Sequence, residues 1–74
     1  MTSTDLKSIL FQGGDIVINA DQFPVFEIRS MAFTAKGHGG HIYIKSASKL
    51  TVLDCKAIAF SGGRGTVTFD FSEK

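Results

Sequence analysis

Every glycine of the chain falls in one of three clusters, and each cluster is flanked by a similar pair of short apolar segments. The clusters are Gly13 and Gly14, then Gly37, Gly39 and Gly40, then Gly62, Gly63 and Gly65. Before them stand SILF (8–11), SMAF (30–33) and AIAF (57–60). After them stand DIVIN (15–19), HIYIK (41–45) and TVTFDF (66–71). Glycine clusters mark turns, because only glycine takes positive φ without a steric penalty. The apolar residues on either side alternate with period two, the pattern of a strand with one buried face. The chain therefore reads as repeats of one unit: strand, glycine turn, strand, bend, strand, with the last unit truncated after its second strand.

The correspondence runs past the turns. Ala20 is answered by Ala47, Phe23 by Leu50 and Val25 by Val52; Phe26, Ile28 and Phe33 recur 27 residues later as Leu53, Cys55 and Phe60. Length differences gather in the turns, where loops absorb insertions without disturbing the elements they join. The spacing gives three units over about 6–27, 28–54 and 55–71, within one domain spanning 1–74. Helix is nearly absent from this reading. It is confined to a short turn around 3–8 that Ser3 or Thr4 would cap.

The expected fold class is all-β, closed in one of two ways. In a small β-solenoid, equivalent strands stack coil upon coil. The inward ladders would then be Ile9/Met31/Ile58, Phe11/Phe33/Phe60, Ile16/Ile42/Val67 and Ile18/Ile44/Phe69. The alternative is an antiparallel hairpin barrel or sandwich, since the paired glycines of FQGGDI suit a tight hairpin turn. GGDIVINA and GGHIYIKSA resemble the coil strands of filamentous-haemagglutinin-type β-helices, a likeness that brings no functional residues with it. KLTVLDCKAIAFSGGRGTVTFDF is similar to the strand repeats of the altered-inheritance-of-mitochondria family and its relatives with the tryptophan-attenuation-protein-like β fold. Both resemblances imply an all-β chain of stacked or paired short strands.

At 74 residues the core is marginal unless a disulfide, a metal or oligomerisation supports it. The single cysteine, Cys55, excludes an internal disulfide, and one lone thiol points to a reducing, cytoplasmic setting. MTSTDLKS has no signal-peptide pattern, and no apolar run approaches the roughly 18 residues of a membrane span, so no membrane partner is expected. Eight basic and seven acidic residues are scattered without a basic field, so nucleic acid is not expected as a partner either. Apolar content of 43% with seven phenylalanines excludes disorder. Homo-oligomerisation remains. Open strand edges recruit other chains, and TVTFDF directs Phe69 and Phe71 inward with only the polar tail SEK (72–74) after it. The expected assembly contacts are Phe69 and Phe71 against Ile9 and Phe11 of a neighbour.

Candidate chemistry is sparse. His38 and His41 are a candidate metal pair, although two ligands fall short of the four of a structural zinc site. No cofactor is expected. The glycine turns lack the following helix N-terminus of a phosphate loop, which leaves Arg64 of SGGRGT as a possible anion contact. Tyr43 beside Lys45 offers a stacking and charge contact for a ligand. Cys55 aligns with Ile28 and reads as a small buried hydrophobe, not a nucleophile. Asp15, Asp21, Glu27, Asp54, Asp70 and Glu73 are spread evenly, and no nucleophile elbow is present. The expected function is non-enzymatic: a small protein that self-assembles through open edges or ends in a structural or interaction role. The alternative is a ring-forming binding module presenting its glycine loops to an anionic or nucleic-acid ligand.

Overall fold

The segments before the glycine clusters are helices, and this overturns the all-β expectation. The computed structural model describes residues 1–72; Glu73 and Lys74, in the polar tail, lie outside the described residues. Three helices, α1 (Ser3–Phe11), α2 (Val25–Ala35) and α3 (Val52–Gly62), alternate with three strands, β1 (Asp15–Asn19), β2 (His41–Lys45) and β3 (Val67–Phe69). A single 3-10 turn, Ala47–Lys49, follows β2. The fold is mixed α/β.

The helical reading has a physical basis in the residues. Leu6, Ile9 and Leu10 fall at i, i+3 and i+4. Ile28, Met31, Ala32 and Ala35 extend the same spacing by a turn, as do Cys55, Ile58, Ala59 and Gly62. At 3.6 residues per turn, residues two apart lie roughly 200° apart around a helix. The apparent alternation of Met31 with Phe33 therefore puts them on opposite sides, Met31 at 0% exposure and Phe33 at 66%. Caps fix the starts. The Thr2 hydroxyl accepts from the Asp5 amide at 3.2 Å, while the Asp5 carboxylate accepts from the Thr2 amide at 3.1 Å. Thr51 likewise accepts from the Asp54 amide at 3.1 Å. Pro24 stands at the N-cap of α2, where a missing N–H costs nothing.

The segments after the glycine clusters are strands. They form one sheet in the order β1-β2-β3 with both pairs parallel. Its register aligns Ile16 with Ile42 and Val67, and Ile18 with Ile44 and Phe69. Two of the four expected ladders are thus rungs of this sheet. The other two, Ile9/Met31/Ile58 and Phe11/Phe33/Phe60, lie on helices, so the β-solenoid is corrected. The hairpin barrel is corrected as well: successive strands are parallel and joined by helices, as parallel pairing requires. TVTFDF is strand only over Val67–Phe69.

The helices lie side by side, α1 against α2 and α2 against α3, over one face of the sheet. Leu10, Ile28, Met31, Ile42, Ile44 and Ile58 are completely buried between the two layers. The opposite sheet face, with Val17 and Tyr43, is open. The glycine loops bring neighbouring units together at one end of the sheet. A Cβ on Gly40 would stand 2.9 Å from the Leu10 carbonyl oxygen and 3.0 Å from that of Gly14, so the loops pack backbone against backbone. No described helix is long and apolar enough to cross a membrane.

Candidate functional site

The flank of α3 that faces away from α2 is the least finished surface of the fold. Each α2 residue has a counterpart 27 positions later in α3, so one helix calibrates the other. Ile28 and Ala32 have no exposed surface, whereas Cys55 is half-buried and Ala59 exposed. Val25 is half-buried, and Val52 is 75% exposed. The sheet repeats the contrast: Ile42 and Ile44 are completely buried, while their neighbours Val67 and Phe69 on β3 are half-buried. α3 covers α2, and among the described residues no element covers α3 in turn. The outcome is an apolar groove of about 360 Å³ lined by Leu50, Val52, Cys55, Ala59, Phe69 and Phe71, with Lys56 at its side. Burial pushes the Cys55 thiol above its ordinary pKa, and the neighbouring Asp54 charge adds to the shift.

The four expected assembly residues lie at the two ends of the stack. Phe69 faces the core from β3 and stacks on Phe71 with ring centroids 6.2 Å apart; Phe71, expected inward, is 58% exposed. Ile9 and Phe11 belong to α1 and not to an edge strand. Ile9 is half-buried where its counterparts Met31 and Ile58 are fully buried. Phe11 points outward and meets the His38 ring at a centroid distance of 4.2 Å.

The remaining candidates divide between the open sheet face and the loops. The Tyr43 hydroxyl donates to Asp70 Oδ2 at 3.0 Å. Asp70 also accepts from the hydroxyl and amide of Ser72. Those two hydrogen bonds, then the Tyr43 hydroxyl, and finally the Lys45 charge hold the Asp70 carboxyl below the usual carboxylate range. The same carboxylate, by hydrogen bond and by charge, raises the Tyr43 phenol above its ordinary value. Lys45 and Tyr43 are both exposed, two residues apart on β2 and so on one face of the sheet. Arg64 is exposed in the turn between α3 and β3.

The two histidines are engaged separately. His41 opens β2 with its ring across to the next strand: Nδ1 lies 3.0 Å from the Gly65 carbonyl oxygen and Nε2 2.8 Å from Thr68 Oγ1. A carbonyl only accepts, so Nδ1 is the donor to Gly65, and Nε2 pairs with the Thr68 hydroxyl, which can donate or accept. His38 lies on Phe11 instead. Among the described residues no group of three or more His, Cys, Asp or Glu is placed to hold a metal ion.

We found no protein-family model, curated protein or solved structure that matches the chain. The geometry alone therefore carries the functional reading. Its main feature is the open apolar groove along α3 and β3.

Proposed function

We propose that the protein is a self-assembling αβ module. Its α3–β3 end receives the α1–β1 end of a second copy, so that the sheet and the helix layer continue from one chain to the next. The observation that supports this most directly is the paired contrast between Ala32, at 0% exposure, and exposed Ala59. The same side chain at the same place in the repeat is covered in the interior and bare at the end. The other end is complementary. Half-buried Ile9 is flanked by Ser8 and Gln12, which correspond to Ala57 and Ser61 on the α3 flank that meets α2. Arg29 Nε donates to Ser61 Oγ at 3.5 Å within the chain; across the junction Lys56 takes the place of Arg29 and Gln12 that of Ser61. A head-to-tail contact of this kind is heterologous and repeats until something closes it. Molar mass by light scattering over a dilution series tests the reading. Wild type rises with concentration in steps of 8.0 kDa, and Ala59→Glu, which puts a charge in the groove, removes that growth. Growth unchanged by Ala59→Glu would refute the reading.

A further inference from the structure

The helix layer carries a second apolar surface, on its outer side. Phe26 and Phe33 are seven residues apart on α2, two turns of helix, and so form one stripe. Leu53 and Phe60 repeat that stripe on α3, and Phe11 continues it on α1. All five are bare: Phe26 70%, Phe33 66%, Leu53 75%, Phe60 85% and Phe11 55% exposed. Phe11 and Phe33 border one groove between helices, and Phe26 and Phe33 border a second that reaches Ser61 on α3, the residue next to Phe60 in the chain. The repeat thus keeps a large apolar side chain at a position that does not contribute to the chain's own core.

We infer that this face is the interface of an isologous dimer, in which the Phe11–Phe33–Phe60 side of one chain lies against the same side of a second copy. Area is the first argument. Taking about 200 Å² for each large side chain when fully exposed, the five residues present roughly 700 Å². One such face exceeds the ~300–600 Å² patch of an ordinary monomer, and two bury on the order of 1,400 Å² in total, within the ~1,200–2,000 Å² of stable interfaces. Shape is the second. Three helices side by side make a broad layer with shallow grooves, which fits another layer better than a single inserted helix. Charge is the third. Asp5, Glu27 and Asp54 balance Lys7, Arg29 and Lys56 on the three helices, which leaves Lys36 beside the Phe11–Phe33 groove as a single extra cation, short of the basic polar face that holds a helix on an anionic lipid surface. The inference is independent of stacking at the α3–β3 end, since the two contacts use different residues.

The test separates them by working in the Ala59→Glu background, where end-to-end growth is removed. Light scattering is expected to give twice 8.0 kDa in that background. Adding Phe33→Lys and Phe60→Lys is expected to weaken the dimer at least ~100-fold and return the mass to that of one chain. The Phe33→Ser, Phe60→Ser pair is expected to do the same without adding charge. Helicity by circular dichroism identifies any variant that has failed to fold, and the Ser pair decides if the Lys pair has. Val17→Lys, on the open sheet face, is expected to leave the mass unchanged. A single-chain mass in the Ala59→Glu background, or a dimer indifferent to both Phe pairs, overturns the inference. Phe33-dependent flotation with vesicles of anionic phospholipid also overturns it, by assigning the face to a membrane. If Ala59→Glu leaves wild-type growth intact while the Phe variants lower it, the end-stacking proposal fails and this one stands.

Discussion

Met31→Ala and Phe33→Ala, two residues apart on α2, should differ in effect by at least about 1 and up to about 5 kcal/mol. Met31 has no exposed surface, and truncation removes Cγ, Sδ and Cε from the middle of the core. Large-to-small changes at such sites cost about 2–5 kcal/mol, as lost burial plus a residual cavity. Phe33 is 66% exposed on the outer face, and its truncation should cost no more than about 1 kcal/mol. A chain this short is stable by only about 4–11 kcal/mol, so Met31→Ala consumes a large share of the total. Since each kcal/mol moves a small domain's Tm by about 4–8 °C, the drop for Met31→Ala is expected to be at least ~8 °C and at least twice that for Phe33→Ala. With m near 1 kcal/mol/M for so small a chain, the urea midpoint should fall by ~2 M or more in the first case. Both measurements belong in the Ala59→Glu, Phe60→Lys background, where dissociation of an assembly does not add to the apparent cost of Phe33→Ala. A Phe33→Ala penalty equal to that of Met31→Ala would refute the placement of the two side chains. It would return both to one buried face, as strand alternation requires.

Two further predictions rest on single contacts. Tyr43 is the sole tyrosine and tryptophan is absent, so tyrosinate absorbance reads this one group. Because Asp70 raises its pKa in the native state, the midpoint should lie above 10.0, and Asp70→Asn should bring it back towards that value. The raised pKa stabilises the fold below the unfolded tyrosine's pKa, and that contribution is lost as pH rises through the native value; a midpoint unmoved by Asp70→Asn would dispose of the contact. Gly40→Ala should destabilise by about 1–3 kcal/mol in urea titration, because its Cβ would press on the carbonyl oxygens of Leu10 and Gly14, which belong to the backbone and cannot rotate away. A neutral Gly40→Ala would mean that these loops do not touch.

The strand segments DIVIN and HIYIK were legible because their alternation has no competing period. Asp15, Val17 and Asn19 are exposed and Ile16 and Ile18 buried, as the pattern of types implies. The rungs Ile16/Ile42/Val67 and Ile18/Ile44/Phe69 followed from matching like with like. The helices were hidden by the outward phenylalanines. Ile9 with Phe11, Met31 with Phe33 and Ile58 with Phe60 imitate a two-residue period, and an exposed Phe is a poor guide to burial. Better signals lay beside them: Thr2 three residues before Asp5, Thr51 three before Asp54, and the i, i+3, i+4, i+7 run through Ile28, Met31, Ala32 and Ala35. The candidate site suffered from the same error. Val52, Lys56 and Ala59 have no role at an open end until α3 is a helix. Phe69 emerged because both readings place it on the strand segment after the third glycine cluster, and no strand follows β3 among the described residues.

Why the chain should present two apolar surfaces follows from the order of its sheet. Strands added in sequence, each parallel to the last, extend a stack without closing it, and only one face of the sheet receives helices. Every unit therefore has two flanks and an outer helical face to cover, and among the described residues only the middle unit has both flanks covered. Repeating the unit repeats both requirements, which is why Ala59 echoes Ala32 and Phe60 echoes Phe33. The two surfaces differ in symmetry, and this sets how mass responds to concentration. In the proposed assembly the α3–β3 end would meet a different surface on the next copy and permit growth without limit, whereas the outer helical face would meet itself and be satisfied by one partner. A mass that stops at two chains is the work of the phenylalanines. A mass that continues to rise requires the end groove as well.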